Sequence, residues 1–373
     1  MANGFVRNED APLLPPPDRL ASFWAIVRDN VAPSPLSAVA SLLIAALVVW
    51  TVFQFFDWGI VRAVWTAPNR ELCATPGAGA CWPFVQAKYM QWIYGLYPID
   101  QRWRPNLVFA MCAGSLIALL VPRIPYKRWT AIFFFIVFPI ATILLLSGGF
   151  VGMPYVETTS WGGLLVTLLL SLTSIVLSLP LGVALALGRQ SKLPVLKLLC
   201  TIFIEVVRGL PLVLVLFMSV NMLTLFLPPG FQPNKLFIVV IGVMLFFTAY
   251  MAEVVRGGLQ AMPKGQYEAS QALGLHYWKM MSFIVMPQAL KLVIPSIVNN
   301  FIGVFQNTTL VLVVGIFDLL NMVQSGFNDG NWATAQTGNT GYFTLACIYW
   351  LICFAISRYS MFIERKLNAG QKR

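Results

Sequence analysis

The chain has 373 residues, 58% hydrophobic and only 10% charged, with 25 basic side chains, 14 acidic ones and a single histidine. A soluble domain carries about a quarter charged residues, so this composition excludes a water-exposed globule and indicates an integral membrane protein. The net charge of +11 does not point to nucleic acid, because the bases punctuate apolar runs instead of clustering on a polar face, and His276 alone leaves no zinc set, no partnered histidine base and no haem pair.

Met1 to about Pro35 is polar and proline-rich (Leu14-Pro15-Pro16-Pro17) and lacks a cleavable signal pattern. It reads as a tail, residues 1–35, with a short surface helix near Leu20 to Val27. A spanning helix needs roughly 20 apolar residues. Leu36 to Phe56, Asn106 to Val121, Trp129 to Leu146 and Gly162 to Gly188 approach that length, the last with Pro180 as an expected kink. Val195 to Leu227 follows, broken at Gly209-Leu210-Pro211, then Leu236 to Ala252, Pro287 to Ile316 and Tyr342 to Phe362. Eighteen of the 25 bases fall in the tail, in alternate loops and at the helix ends beside them, which places both termini inside by the positive-inside rule.

Cys112, Cys200, Cys347 and Cys353 lie in apolar runs and read as small core residues. Cys73 and Cys81 share the loop 57–104, where a disulfide is available if the loop faces an oxidising compartment. Trp58, Trp65, Trp82, Trp92 and Trp103 read as a membrane-interface belt or a contact for an external protein. Asp318 and Asp329 read as solvated loop residues. No Gly-rich loop ending in Gly-Lys-Ser/Thr occurs, so ATP binding by the chain itself is not expected, and neither a catalytic residue nor a metal site is assigned.

Glu253 to Met286 is too polar to span and too patterned for a linker. Pro263 and Gly265 mark a turn, Gln266 to Leu273 carries helix formers, and Gly274 permits a chain reversal. Tyr277, Trp278, Met280, Phe283 and Ile284 give the next helix an apolar face. These features describe two short surface helices joined at glycine, either a knob for a soluble partner or a hairpin on the lipid headgroups.

Glu268-Ala269-Ser270, three residues, Gly274, nine residues and Ile284-Val285-Met286-Pro287 together resemble the EAA loop of ABC importer permeases. Ser270 and Met286 are conservative departures from its Glu-Ala-Ala, Gly and Ile-x-Leu-Pro pattern. That family's loop docks into an ATPase, so the resemblance implies coupling through Glu268, Ala269, Ser270, Gly274, Leu275, Ile284 and Pro287 of the loop 253–287, and favours the knob. Ala252 to Gly258, Pro263 to Gln266, Glu205 to Leu212 and Asn300-Phe301-Ile302 are similar to polar-amino-acid permeases of the histidine/glutamate/glutamine type. Gly79 to Trp82, Tyr97-Pro98 and Arg102 to Pro105 resemble the longer general L-amino-acid permeases, which carry extra helices before a five-helix core.

The resemblance implies an all-α membrane protein of about eight transmembrane helices. A type I ABC-importer core of five helices (151–373) follows a three-helix extension (36–150). It also implies no cofactor bound by this chain, with ATP and Mg in a partner ATPase. The implied partners are ATPase subunits inside, a second homologous permease in a heterodimer, and a periplasmic amino-acid-binding protein; membrane lipid surrounds them and nucleic acid has no part.

Glu205 and Arg208, spaced i, i+3, are each costly alone in a membrane. They read either as a salt bridge fixing the break at Gly209-Leu210-Pro211 or as groups beside a substrate route. Asn299, Asn300, Gln306, Asn307, Thr308 and Thr309 put polar groups into the seventh span, for interhelical hydrogen bonds or for a cavity. Where the family has Lys-Asp-Thr-Ser, this chain has Gln306-Asn307-Thr308-Thr309, with neutral amides in place of both charges. The candidate substrate path is therefore Glu205, Arg208, Asn300, Gln306, Asn307 and Thr308, with the main pocket expected in the partner subunit. The function expected is the permease subunit of an ATP-driven importer of L-amino acids in the bacterial inner membrane. The alternatives are a secondary transporter driven by an ion gradient through Glu205 or Glu253, which leaves the EAA spacing unexplained, and a non-transporting ATPase anchor.

Overall fold

The computed structural model describes residues 33–368 apart from 122, 151, 229, 231 and 232. The helix expected near Leu20 to Val27 and the bases Lys372 and Arg373 lie outside the described residues. The described residues are helical, with three isolated β-bridges as their only extended pairings. Seven helical stretches are long and apolar enough to cross a membrane, or eight if the bent pair Pro194–Gly209 and Leu212–Met222 counts as one.

Two compact units can be separated. The first, Met1–Ala63 with Gly77–Ala80, contains α1 (Pro35–Phe56). Ser34 caps α1 reciprocally with Ser37, and Pro35 occupies its first turn, where a missing N–H costs nothing. No residue of α1 is buried, as suits a helix whose solvent is hydrocarbon. Arg62 Nε donates to Asp57 Oδ2 at 2.5 Å, and the amides of Gly79 and Ala80 donate to the carbonyls of Arg62 and Trp58.

The second unit, Val64–Pro76 with Cys81–Arg373, holds everything else. Its helices are α2 (Trp82–Tyr94), α3 (Trp103–Leu120), α4 (Lys127–Ile132), α5 (Phe138–Ser147), α6 (Gly163–Arg189), α7 (Pro194–Gly209), α8 (Leu212–Phe217), α9 (Lys235–Gln260), α10 (Lys264–Ala272), α11 (Tyr277–Met280), α12 (Met286–Leu292), α13 (Ile294–Asn307), α14 (Leu319–Ser325) and α15 (Ala335–Asn368). The second and third spans therefore pack with the later ones, whereas the chain-order division at 150/151 sets them apart. Parallel α6 and α9 form the centre, their starts joined by Asn234 and Thr158 and their ends by Arg189 and Glu253. Small buried residues of α6 (Ser171, Ser174, Ser178, Gly182) allow close approach, and Met251 of α9 lies against Gly182. The helix runs through Pro180 without a break. Pro139 and Pro287 each follow a π turn, Phe133–Val137 and Met281–Val285. Proline lacks the donor and crowds the carbonyl one turn back, so the helix widens there.

Three expectations need correction. The loop 57–104 contains α2, whose Phe84 and Trp92 pack with Leu319, Met322 and Trp332; Trp92 is thus a core residue, 2% exposed, not part of a belt. Cys112 and Cys200 are buried, but on α15 Cys347 is exposed and Cys353 is half-buried beside Gln306 of α13. The fifth region is not a straight span. Leu210, held extended before Pro211, bends the chain by 108°. α7 presents Val195, Leu198, Leu199, Ile202 and Val206 on one exposed apolar face, the pattern of a helix lying in the membrane interface.

The unit has two distinguishable ends. At one, Cys73 and Cys81 are bonded, the Cys81 amide donates to Thr340 Oγ1, and the Gly163 amide donates to the Phe317 carbonyl. The other carries the turn from α6 into α7 and the segment from α9 to α12.

Candidate functional site

The helix of the sixth span does not stop at Ala252. Val255, Gly258 and Leu259 keep an apolar face buried, so α9 continues to Gln260. Pro263 then starts α10, which ends in a Schellman turn. The Gly274 amide donates to the Gln271 carbonyl at 2.9 Å, the Leu275 amide donates to the Ser270 carbonyl at 3.1 Å, and Gly274 takes φ +71°. The glycine in the Glu-Ala-Ser…Gly spacing is thus the residue that can adopt a left-handed backbone without a Cβ clash. The two short helices expected around it are α10 and α11.

This hairpin stands on a buried base. Met280, Met281, Val285 and Ala289 pack with Ala186 of α6 and with Met251, Val255 and Leu259 of α9. A Cβ at Gly258 would lie 2.6 Å from the Ala289 carbonyl oxygen, so α12 can seat on α9 only with glycine there. Gln288 Nε2 donates to Gln266 Oε1 at 3.1 Å across the hairpin. Ser270 is buried and donates its hydroxyl to the Gln266 carbonyl at 2.6 Å. Glu268, Ala269, Gly274 and Pro287 are exposed, while Leu275 and Ile284 are half-buried. Leu273, Trp278 and Phe283 stand 77%, 63% and 76% exposed. Burial pushes the Tyr267 and Tyr277 phenols above their ordinary range, so both stay neutral.

Beside the hairpin, Arg189 of α6 donates to Glu253 Oε1 at 2.6 Å and to Glu205 Oε1 at 2.8 Å. Glu253 also accepts from Arg256 Nε and Nη2 at 3.0 and 2.8 Å, and Arg208 Nη1 lies 3.6 Å from its Oε2. Arg208 further lies over the Tyr250 ring, 5.7 Å from its centroid. The intrahelical pair Glu205–Arg208 is therefore corrected. Each of the two finds its partner on another helix, and the cluster ties α6, α7 and α9 together. Neither residue stands in the middle of a span; the bend after Gly209 keeps both at the hairpin end. Arg189 and Arg256 were legible in sequence only as topology charges, although Glu253 and Arg256 carry the i, i+3 spacing of a helical pair.

No hydrogen bond among the described residues links this cluster to the polar residues of α13. Asn300 and Asn307 donate to carbonyls of their own helix, those of Ser296 and Gly303, and Thr308, fully buried, donates to the Phe305 carbonyl. Gln306 reaches Cys353 Sγ of α15 at 3.8 Å. Asn299 and Gln306 are exposed. The candidate path thus divides into a charged group at the hairpin end and an amide face on α13.

Asp318 is not a solvated loop residue, whereas Asp329 lies in a loop with its side chain partly exposed. Asp318 is fully buried, caps α14 by accepting from the Asn321 amide at 3.0 Å, and accepts from Tyr349 at 3.3 Å. Burial raises its pKa to about 6, against the lowering by these hydrogen bonds. Asp329 pairs with Lys88 of α2, whose hydrogen bond holds its carboxyl below the usual range.

Residues 178–369 match the family described as binding-protein-dependent transport system inner membrane component. The inner membrane amino-acid ABC transporter permease protein YhdY of Escherichia coli is 42% identical, with 94% of each chain covered. The glutamate/glutamine/aspartate/asparagine transport system permease protein BztC of Rhodobacter capsulatus is 36% identical, with 99% of each covered. A solved amino acid ABC transporter with histidines is 29% identical, with a TM-score of 0.48, 55% of this chain and 92% of that chain covered. This chain belongs to the family of binding-protein-dependent transport system inner membrane components, and is a multi-pass transport component of that membrane.

Proposed function

We propose that this chain is the permease subunit of an ATP-binding-cassette importer that takes up L-amino acids. The observation that carries the reading is the hairpin: an exposed tip of Leu273, Trp278 and Phe283 on a rigid base that is continuous with α6 and α9. Of its EAA-type residues, Glu268 and Ala269 are exposed on α10, Gly274 and Leu275 form the turn, and Ile284 and Pro287 flank Val285 of the base. A partner ATPase closing on the tip moves the base, and through α9 the spans. ATP and Mg belong to that partner; this chain supplies coupling and binds no cofactor. The hairpin and both termini face the cytoplasm, while the disulfide end faces the oxidising side, where a binding protein delivers substrate. A second permease subunit completes the path and holds the main pocket, since Gln306 and Asn307 offer this chain's amide face no charge for an amino acid's ends. The ion-gradient reading is disfavoured because Glu205 and Glu253 are already neutralised by arginines.

Reconstitution with the ATPase, the second permease and the binding protein tests the reading. Uptake of labelled amino acids that requires ATP and survives collapse of proton and sodium gradients supports it. Uptake driven by a gradient without ATP overturns it.

A further inference from the structure

Between the second and third spans on one side and α6 and α9 on the other lies a crevice of about 610 Å³, within the ~300–1,000 Å³ range of ligand sites. Phe134, Phe138, Leu168, Leu172, Val176 and Val240 wall it. Phe135, Ile140 and Phe237 also line it and are 50%, 57% and 56% exposed, so it opens sideways on the surface these spans turn to the bilayer. None of its lining residues is charged.

Polarity is weighted toward one end, with Thr142 and Thr173 as the other hydroxyls of the lining. Ser147 closes α5, Thr158 and Trp161 precede α6, and Asn234 caps α9; all four line the mouth at the disulfide end. Asn234 Nδ2 donates to Thr158 Oγ1 at 2.7 Å. Trp161 is more than nine-tenths buried, and its indole Nε1 has no hydrogen-bond partner among the described residues.

Water is a poor filling for such a space, since each molecule needs ~2–4 polar partners and the walls away from the mouth offer only the hydroxyls of Thr142 and Thr173. An empty crevice forfeits dispersion contacts along every wall. The medium at the opening is hydrocarbon, and the polar mouth lies where three spans end, at headgroup level. The pattern matches an amphiphile whose tail lies along the walls and whose ester region meets the indole N–H. The uncharged lining fits an ester and a zwitterionic head without demanding an anionic one.

We propose that this crevice binds one acyl chain of a membrane phospholipid, headgroup toward the disulfide end, as a lipid seated between the second and third spans and the transport core.

The test uses the full chain in nanodiscs doped with a phosphatidylethanolamine that carries a diazirine midway along one acyl chain. Adducts are mapped by mass spectrometry. Labelling of Phe134–Ile143 and Leu168–Val176 saturates at low mole fraction, whereas labelling of lipid-exposed α1 rises in proportion to it. Leu172→Trp and Val176→Phe, on separate turns, fill the space and each lower crevice labelling by about tenfold, which corresponds to ~1.4 kcal/mol of lost binding. Trp161→Phe keeps the volume but removes the donor, and lowers it by about fivefold, the worth of one neutral hydrogen bond. Crevice labelling that rises without saturation overturns the proposal, and this measurement on the unaltered chain decides even if the filled variants do not fold. Equal labelling by a diazirine alkane without a headgroup, or crosslinks to a protein segment instead of lipid, also overturns it.

Discussion

Arg189 and Glu253 lie 64 residues apart in the chain and 2.6 Å apart in the fold. Arg189 closes α6 and Glu253 sits two turns before the end of α9, so their contact locks the central helix pair beside the base of the docking hairpin. Glu253 meets three guanidinium groups, while Glu205 meets one.

That inequality gives a graded prediction. The Glu253 side chain is 15% exposed and the Glu205 side chain 55%. Glu253→Gln leaves three arginines facing one remaining carboxylate and lowers stability by about 2 kcal/mol. Glu205→Gln removes a solvent-screened pair and costs ~0–1 kcal/mol. Thermal unfolding in detergent at low and high salt measures both, and equal losses would show that Glu253 is not the hub.

Gly274→Ala forces a Cβ into a left-handed backbone and weakens the hairpin turn by about 1 kcal/mol. Hydrogen exchange at the Gly274 and Leu275 amides accelerates, and ATP-coupled uptake falls. Gly265→Ala is the control, since Gly265 lies in α10 with open space around its Cβ position. If both variants behave alike, the left-handed turn is not what the hairpin requires.

The apolar runs and the glycine turn were legible in the sequence because each rests on local periodicity or local backbone geometry. The partners of the charges were not. Spacing joined Glu205 to Arg208, but Arg189 reaches Glu205 from 16 residues upstream on a different helix once the chain turns between α6 and α7. Helix α2 is hard to read from sequence because Trp82 and Trp92 fit an interfacial belt equally well, and the other half of its amphipathic pattern is supplied by α14 and Trp332. Asp318 misled for the same reason, since Tyr349 and Thr167, which pack around that turn, come from two distant spans.

Cys73 and Cys81 are buried beside Trp332 and close a short loop, eight residues apart. Loop-closure entropy for that length makes the bond worth on the order of 2–3 kcal/mol. Cys73→Ser with Cys81→Ser, or reductant, lowers the unfolding temperature accordingly. Alkylation under denaturing conditions before reduction leaves two of the six cysteines unmodified; modification of all six would refute the bond.

Asp318 offers a pH test with a defined sign. Burial raises its folded pKa to about 6 from an ordinary value of 3.8, although the amides of Asn321 and Leu320 and the side chains of Tyr349 and Asn321 pull it down. The folded state therefore favours the protonated carboxyl. Its stabilising share is complete below the unfolded pKa and is lost as pH rises through the folded one, so the protein becomes less stable between about pH 4 and about pH 6. Asp318→Asn keeps a side-chain acceptor for the α14 cap and removes the titration. Relative to that variant, the unaltered chain loses on the order of 3 kcal/mol across the window. Groups that titrate elsewhere contribute equally to both proteins and cancel in the difference. Parallel stability curves for the two would show that the Asp318 carboxyl titrates alike in the folded and unfolded states, with the cap and Tyr349 balancing burial.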